Sequence, residues 1–162
     1  MIGRVDIISE LVDRTNHFIR DEWKSYQFYK TFAEVVNTMC PDPAVEYELN
    51  RIATDELTHF NIMVNILIAS DRNIMRKERV HIGYMGCREL ANLIRNHVVD
   101  EQRDIDEYRD YIDFIRENKY YIDSEFGYGK AEQIIDKIRT IIDDEKRHVE
   151  ILEHLANMLE RR

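Results

Sequence analysis

The feature that most constrains this chain is an apolar repeat of three or four residues that runs through four long stretches, each interrupted once by a glutamate that keeps the period. In the first, Ile8, Leu11, Phe18, Ile19, Tyr26, Tyr29, Ala33 and Val36 predict helix A from about Asp6 to Thr38. The Cys40 to Pro43 segment ends it. Helix B then starts near Pro43, a residue suited to a first helical turn, and carries Val45, Leu49, Ile52, Phe60, Met63 and Leu67. Leu90, Ile94, Val98, Ile105, Tyr108, Ile112 and Ile115 give helix C, and Ile134, Ile138, Ile141, Val149, Leu152, Leu155 and Leu159 give helix D. Between Ser70 and Gly86 the period breaks, basic residues gather and two glycines occur, which suggests a connection long enough to cross a bundle. Asn118 to Gly129 joins C to D. The expected fold is an all-α, antiparallel four-helix bundle with a short A–B hairpin and a long crossover between B and C.

A chain of 162 residues with 44% hydrophobic content fits one domain, residues 1–162, and can bury a core without disulfide staples. Two prolines and five glycines are too few for a β-sandwich. The net charge of −9 argues against a phosphate-binding surface, so nucleic acid is not an expected partner; the acidic excess reads as a solvated face. Cys40 and Cys87 are isolated, with no C-x-x-C, and are expected as free thiols in a reducing cytoplasm. No stretch approaches the ~18 apolar residues of a membrane span, and Met1 to Leu11 holds no signal-type block, so a soluble cytoplasmic protein is expected.

The four interruptions are Glu22, Glu56, Glu101 and Glu145, and their place in the stripes turns them toward the core. His59 follows Glu56 by three residues and His148 follows Glu145 by three, so helices B and D each offer a carboxylate and an imidazole on one face. Glu22 lies about 15 residues before the A–B turn and Glu56 about 13 after it; at ~1.5 Å per residue these heights agree. Glu101 precedes the C–D connection by about 16 residues and Glu145 follows it by about 15, which brings all four to one level. Glu78 and His81 repeat the spacing inside the polar crossover, where no apolar stripe turns them inward. Four buried carboxylates without cations repel one another and lose hydration at a cost of several kcal/mol each, and no Lys or Arg interrupts the stripes at that level. Two divalent metal ions remove the problem.

The ordered set Glu22, Asp55-Glu56-Leu57-Thr58-His59, Glu101 and Asp144-Glu145-Lys146-Arg147-His148 resembles the ligands of the ferritin-like di-iron carboxylate proteins, nearest the rubrerythrin and bacterioferritin branch. The likeness runs from about Asp6 to Leu159. It implies two iron ions, with manganese or zinc also able to bind such ligands, Glu22 and Glu101 capping single ions and Glu56 and Glu145 bridging. Tyr29 and Tyr108, each seven residues after a lone Glu, stand where family members often place a tyrosine near the metals. Asp55 and Asp144 are placed to accept the outer N–H of the ligand imidazoles across the bundle. The chain also departs from the family pattern. Val98 replaces a further rubrerythrin glutamate, a rubredoxin domain is not expected because no C-x-x-C occurs, and Leu57 stands where a bacterioferritin carries its haem-ligating Met, so haem is not expected. His97, one turn before Glu101, reads as a hydrogen-bonded core histidine rather than an extra ligand.

The resemblance implies an oxidoreductase in which di-iron(II) reacts with hydrogen peroxide or dioxygen and is re-reduced by an external electron-donor protein. Alternatives are a ferroxidase or iron-storage subunit, an oxygen-activating hydroxylase of an organic substrate, and a non-catalytic helical bundle. The sequence shows no clear fifth helix after Leu159, which favours a homodimer over a storage shell. Arg72, Arg76, Lys77 and Arg79 read as a solvated loop more readily than as a dock for an acidic carrier.

Overall fold

The structure, a computed structural model, describes residues 3–67 and 80–162. It is all-α: α1 (Arg4–Met39), α2 (Pro43–Ile66), α3 (Cys87–Glu117), α4 (Lys119–Phe126) and α5 (Lys130–Glu160), with no strand among the described residues. Four helices match the expected ones within a few residues; α4 lies where only a connection was expected. The greater part of the Ser70 to Gly86 segment, including Arg72, Arg76, Lys77, Glu78 and Arg79, lies outside the described residues, and His81 is exposed. No helix among the described residues is long and apolar enough to cross a membrane.

Local chemistry sets the helix ends. Asp42 caps α2 by accepting from the backbone N–H groups of Ala44 and Val45 while Pro43 fills the first turn, where its missing N–H costs nothing. Gly129, at φ 78°, brings the chain into α5 in the left-handed region and has no side chain with which to cap it. Asp123 of α4 does so instead, its Oδ1 accepting from Ala131 N at 2.8 Å. Ile122 of the same short helix is fully buried, and Phe126, one turn on, packs against the same apolar cluster. This i, i+4 pair is the signal that a reading focused on long helices passes over.

The helices pack mainly as two pairs, α1 along α2 and α3 along α5, and the pairs meet around a core with two apolar halves. One half takes Leu11, Phe18 and Ile19 from α1, Phe60 to Leu67 from the end of α2, Ile105 to Ile115 from α3 and Ala131 to Ile142 from α5. The other takes Tyr29 to Val36, Val45 to Ala53, Leu90 to Val98 and Leu152 to Leu159. On every long helix the glutamate singled out above falls between its two apolar blocks, so the buried acids share one layer.

Cys40 and Cys87 are not free thiols. They form a disulfide, Cα–Cα 5.4 Å, between residues 47 apart in sequence. The bond joins the end of α1 to the start of α3, a proximity created only by the fold and invisible in the spacing of two isolated cysteines. A bonded pair also withdraws the reason that free thiols gave for a reducing compartment. Arg162 adds to the same end, pairing with Asp42 at 2.7 Å. Because the disulfide closes a loop of this length, its loss should lower stability by about 2–4 kcal/mol. Thermal melts of the oxidised, reduced and Cys40→Ser/Cys87→Ser forms check this, and equal midpoints would contradict it.

Candidate metal centre

Glu22 of α1, Glu56 and His59 of α2, Glu101 of α3, and Glu145 and His148 of α5 meet in the buried layer, none more than 4% exposed. They form two four-residue groups, Glu22–Glu56–His59–Glu145 and Glu56–Glu101–Glu145–His148, each with donor atoms within 4.8 Å of one another. Glu56 and Glu145 belong to both. His59 Nδ1 lies 3.0 Å from Glu145 Oε1 and 3.5 Å from Glu22 Oε2. His148 Nδ1 lies 3.0 Å from Glu56 Oε1 and 3.1 Å from Glu145 Oε2. Each imidazole thus turns Nδ1 into the layer and Nε2 out of it.

Glu22 Oε2, Glu56 Oε1 and His59 Nδ1 are buried without a hydrogen-bond partner although charged groups stand 3.0–4.0 Å away. These atoms are close to one another but not aligned to bond one another. That is the arrangement of ligands converging on a common centre, and a mixed carboxylate and imidazole set suits a divalent first-row metal. The buried Glu and His groups can therefore hold metal ions, and two ions would take up the orphaned lone pairs.

Without metal the layer must hold protons. Burial pushes Glu22, Glu56 and Glu101 above the usual carboxylate range, and neighbouring carboxylates push in the same direction. Burial disfavours charge on the imidazoles as well, yet the surrounding carboxylates outweigh it, lifting His59 to about 12 and, with Asp55 contributing, His148 to about 10. Glu145, alone in the layer, is held below its ordinary value: against its burial, the neighbouring Glu101 and the His148 and His59 imidazoles favour its charged form.

Groups outside the layer fix its orientation. His59 Nε2 stands 3.0 Å from Asp144 Oδ2, and His148 Nε2 stands 3.1 Å from Asp55 Oδ2. Each aspartate therefore serves the histidine of the other half, as expected from the sequence, and holds Nδ1 toward the layer. The tyrosines cross over too: Tyr29 donates to Glu101 and Tyr108 donates to Glu22. Burial raises both phenols well above their ordinary value, so they stay neutral donors. Phe18 stacks on Tyr108 at 4.1 Å and fixes its ring.

His97 is neither a member of the two groups nor a hydrogen-bonded core residue. It is partly exposed, stacks on Phe28 at 3.6 Å, and has Asp100 Oδ2 3.8 Å from Nδ1, beyond hydrogen-bonding distance. It lines an open cavity of about 240 Å³ between α1 and α3, together with Asp21, Ser25, Asp100 and Asp104, and Glu101 also lines that cavity. Burial, helped by nearby carboxylates, lifts Asp104 to about 8. The sequence reading missed Asp104, although it sits one turn after Glu101 and on a neighbouring face. No family model matches the chain, and comparison with characterised proteins and with solved structures finds no match.

Two outcomes follow. Asp55→Asn/Asp144→Asn should keep the fold but weaken cobalt(II) or zinc(II) binding by about 10–100-fold, measured by chelator competition. Stability against pH has a definite sign. The folded values of His59 and His148 lie above the unfolded value of 6.5, so their contribution is complete below that pH and is lost as pH rises toward about 10 and 12. The raised glutamates act in the same direction, and Glu145, depressed, changes only at acid pH. Metal-free protein should therefore lose stability in urea titrations between pH 6.5 and 10, and metal-loaded protein should lose much less.

Proposed function

We infer that the chain is a ferritin-like di-iron oxidoreductase of the rubrerythrin type, which reduces hydrogen peroxide or dioxygen and is re-reduced by an external donor protein. The observation that carries this reading is the sharing of Glu56 and Glu145 by two otherwise separate ligand groups, since two carboxylates common to two sites are what holds a pair of ions together. The fold is read accordingly as one antiparallel four-helix bundle of α1, α2, α3 and α5. The disulfide puts the start of α3 beside the end of α1.

In this reading Glu22 and His59 would hold one ion and Glu101 and His148 the other, with Glu56 and Glu145 available to both. Iron suits the mixed oxygen and nitrogen set; manganese and zinc suit it too. When bound, an iron(II) pair supplies two electrons, which reduce one hydrogen peroxide to two waters with uptake of two protons. Tyr29 and Tyr108 hold protons at Oη against Glu101 and Glu22, and we assign them as the buried proton-holding groups of the reaction. The apolar halves above and below exclude water from the layer. The cavity that reaches Glu101 is lined by charged and polar side chains, which fits small polar reactants better than an apolar organic substrate. The same acidic lining favours a second reading, a ferroxidase subunit, where iron is substrate as well as cofactor. A homodimer is expected for the peroxidase and a many-subunit shell for storage.

The test is anaerobic loading with ferrous iron, then substoichiometric hydrogen peroxide or dioxygen in separate runs. Two irons per chain and a ferric band that forms faster with peroxide support the peroxidase; a wild-type protein that takes up no metal removes the reading. Faster oxidation by dioxygen in a large assembly, sized by light scattering, selects the ferroxidase. Tyr29→Phe/Tyr108→Phe should retain both irons and slow peroxide reduction by about a hundredfold.

A further inference from the structure

Outside the buried layer, the described residues hold one more group that combines imidazole and carboxylate donors: His17 and Asp21 on α1 and Glu107 on α3, with donor atoms within 4.8 Å. His17 Nε2 lies 3.1 Å from Asp21 Oδ2 and 3.2 Å from Glu107 Oε2. The two α1 residues are one turn apart on one face, so two helices contribute to a chelating triangle that opens to solvent. The side chains are 50%, 37% and 37% exposed, which makes this a weak and exchangeable place for an ion rather than a permanent one.

A second observation joins this triangle to the interior. Asp21 is also a wall of the cavity between α1 and α3 in which Glu101, itself 4% exposed and a member of the buried ligand groups, is reached from outside. The next residue along α1, Glu22, is turned into the layer with Oε2 buried and unpartnered. Successive residues thus present one carboxylate outward and one inward. Asp21, Asp100, Asp104 and Glu101 bring a run of oxygen donors into the lining, and His97 adds a nitrogen, so a divalent ion has ligands along the opening.

We propose that the face between α1 and α3 is the route by which divalent metal ions reach the buried layer, with His17, Asp21 and Glu107 as its outer docking site. The proposal rests on the metal-binding reading above. An ion held by one imidazole and two carboxylates exchanges part of its water for nitrogen and oxygen donors at the surface, and the carboxylates of the cavity then accept it in turn. Arg103 opposes this traffic. Its guanidinium lies 3.2 Å from Asp100, 3.6 Å from Asp104 and 3.8 Å from Glu107, and it neutralises the rim from a side chain 61% exposed.

Cobalt(II) alone, mixed with metal-free protein in a stopped-flow spectrometer at fixed ionic strength, reads both the rate and the final stoichiometry through its absorbance. All variants should reach the two buried ions per chain of the wild type. His17→Ala/Glu107→Gln and the plugging variant Ser25→Phe should load at least about tenfold more slowly, and Arg103→Ala should load faster. Wild-type loading rates in both slow-class variants would overturn the route while leaving the buried centre standing. A wild-type protein that binds no cobalt would remove the buried centre itself, and the route with it. Helical circular dichroism and final stoichiometry confirm folding; should Ser25→Phe misfold, the surface double variant decides alone.

Discussion

Four carboxylates and two imidazoles confined to one dry layer of a helical core set the terms for everything else in this structure. Fully burying an Ile or Leu side chain contributes roughly 1.5–3 kcal/mol, and an unpaired buried charge costs more than that. Glu22, Glu56, Glu101 and Glu145 would therefore cancel a comparable number of core contacts if left ionised and alone. The layer is tolerable only when positive charge enters it, as protons on the carboxylates and imidazoles or as metal ions. Burial and neighbouring carboxylates raise Glu56 and Glu101, and carboxylates raise His59 and His148 against their burial, all in the direction of bound protons, which is the metal-free way to bring that charge in. The apolar blocks above and below the layer supply the burial that makes either solution necessary.

Every orienting contact to that layer crosses from one half of the chain to the other. Asp144 holds His59, Asp55 holds His148, Tyr29 holds Glu101 and Tyr108 holds Glu22. The α1–α2 pair carries Glu22, Glu56 and His59 yet has no means of setting two of them, because their partners lie on α3 and α5. Assembly of the two pairs and organisation of the layer are thus one event, and the Cys40–Cys87 bond favours it by tethering the pairs at one end.

The parts legible in the sequence were those encoded by period. Glu22 and Glu101 stand out because they keep an apolar stripe going with an acid, and the level match of four helices follows from counting residues to each turn. Asp55 and Asp144 were legible as well, because each precedes a Glu-x-x-His motif whose imidazole must be held from outside. The disulfide could not be read, since Cys40 and Cys87 share no local spacing and meet only through tertiary packing. The helix α4 was obscured by its length: Ile122 and Phe126 give a single i, i+4 pair between two glycines and a polar run. His97 was misjudged for a related reason, because periodicity says which face a residue takes but not whether a neighbour such as Phe28 covers it. Asp21 and Asp104 look like ordinary surface acids until the cavity between α1 and α3 places them beside Glu101.

The six residues of the layer are not equivalent, and the difference lies in the company each keeps. Glu22 and Glu101 each belong to only one of the two groups, and each takes a phenolic hydrogen bond on one oxygen. Glu145 sits between both imidazoles, and it is the one carboxylate of the layer held below its ordinary value. Two imidazoles with raised values thus flank a carboxylate with a lowered one. A divalent ion held there would replace protons on His59 and His148, whose rings Asp144 and Asp55 turn inward. The aspartates and tyrosines just outside the layer supply the frame within which metal would take the place of protons.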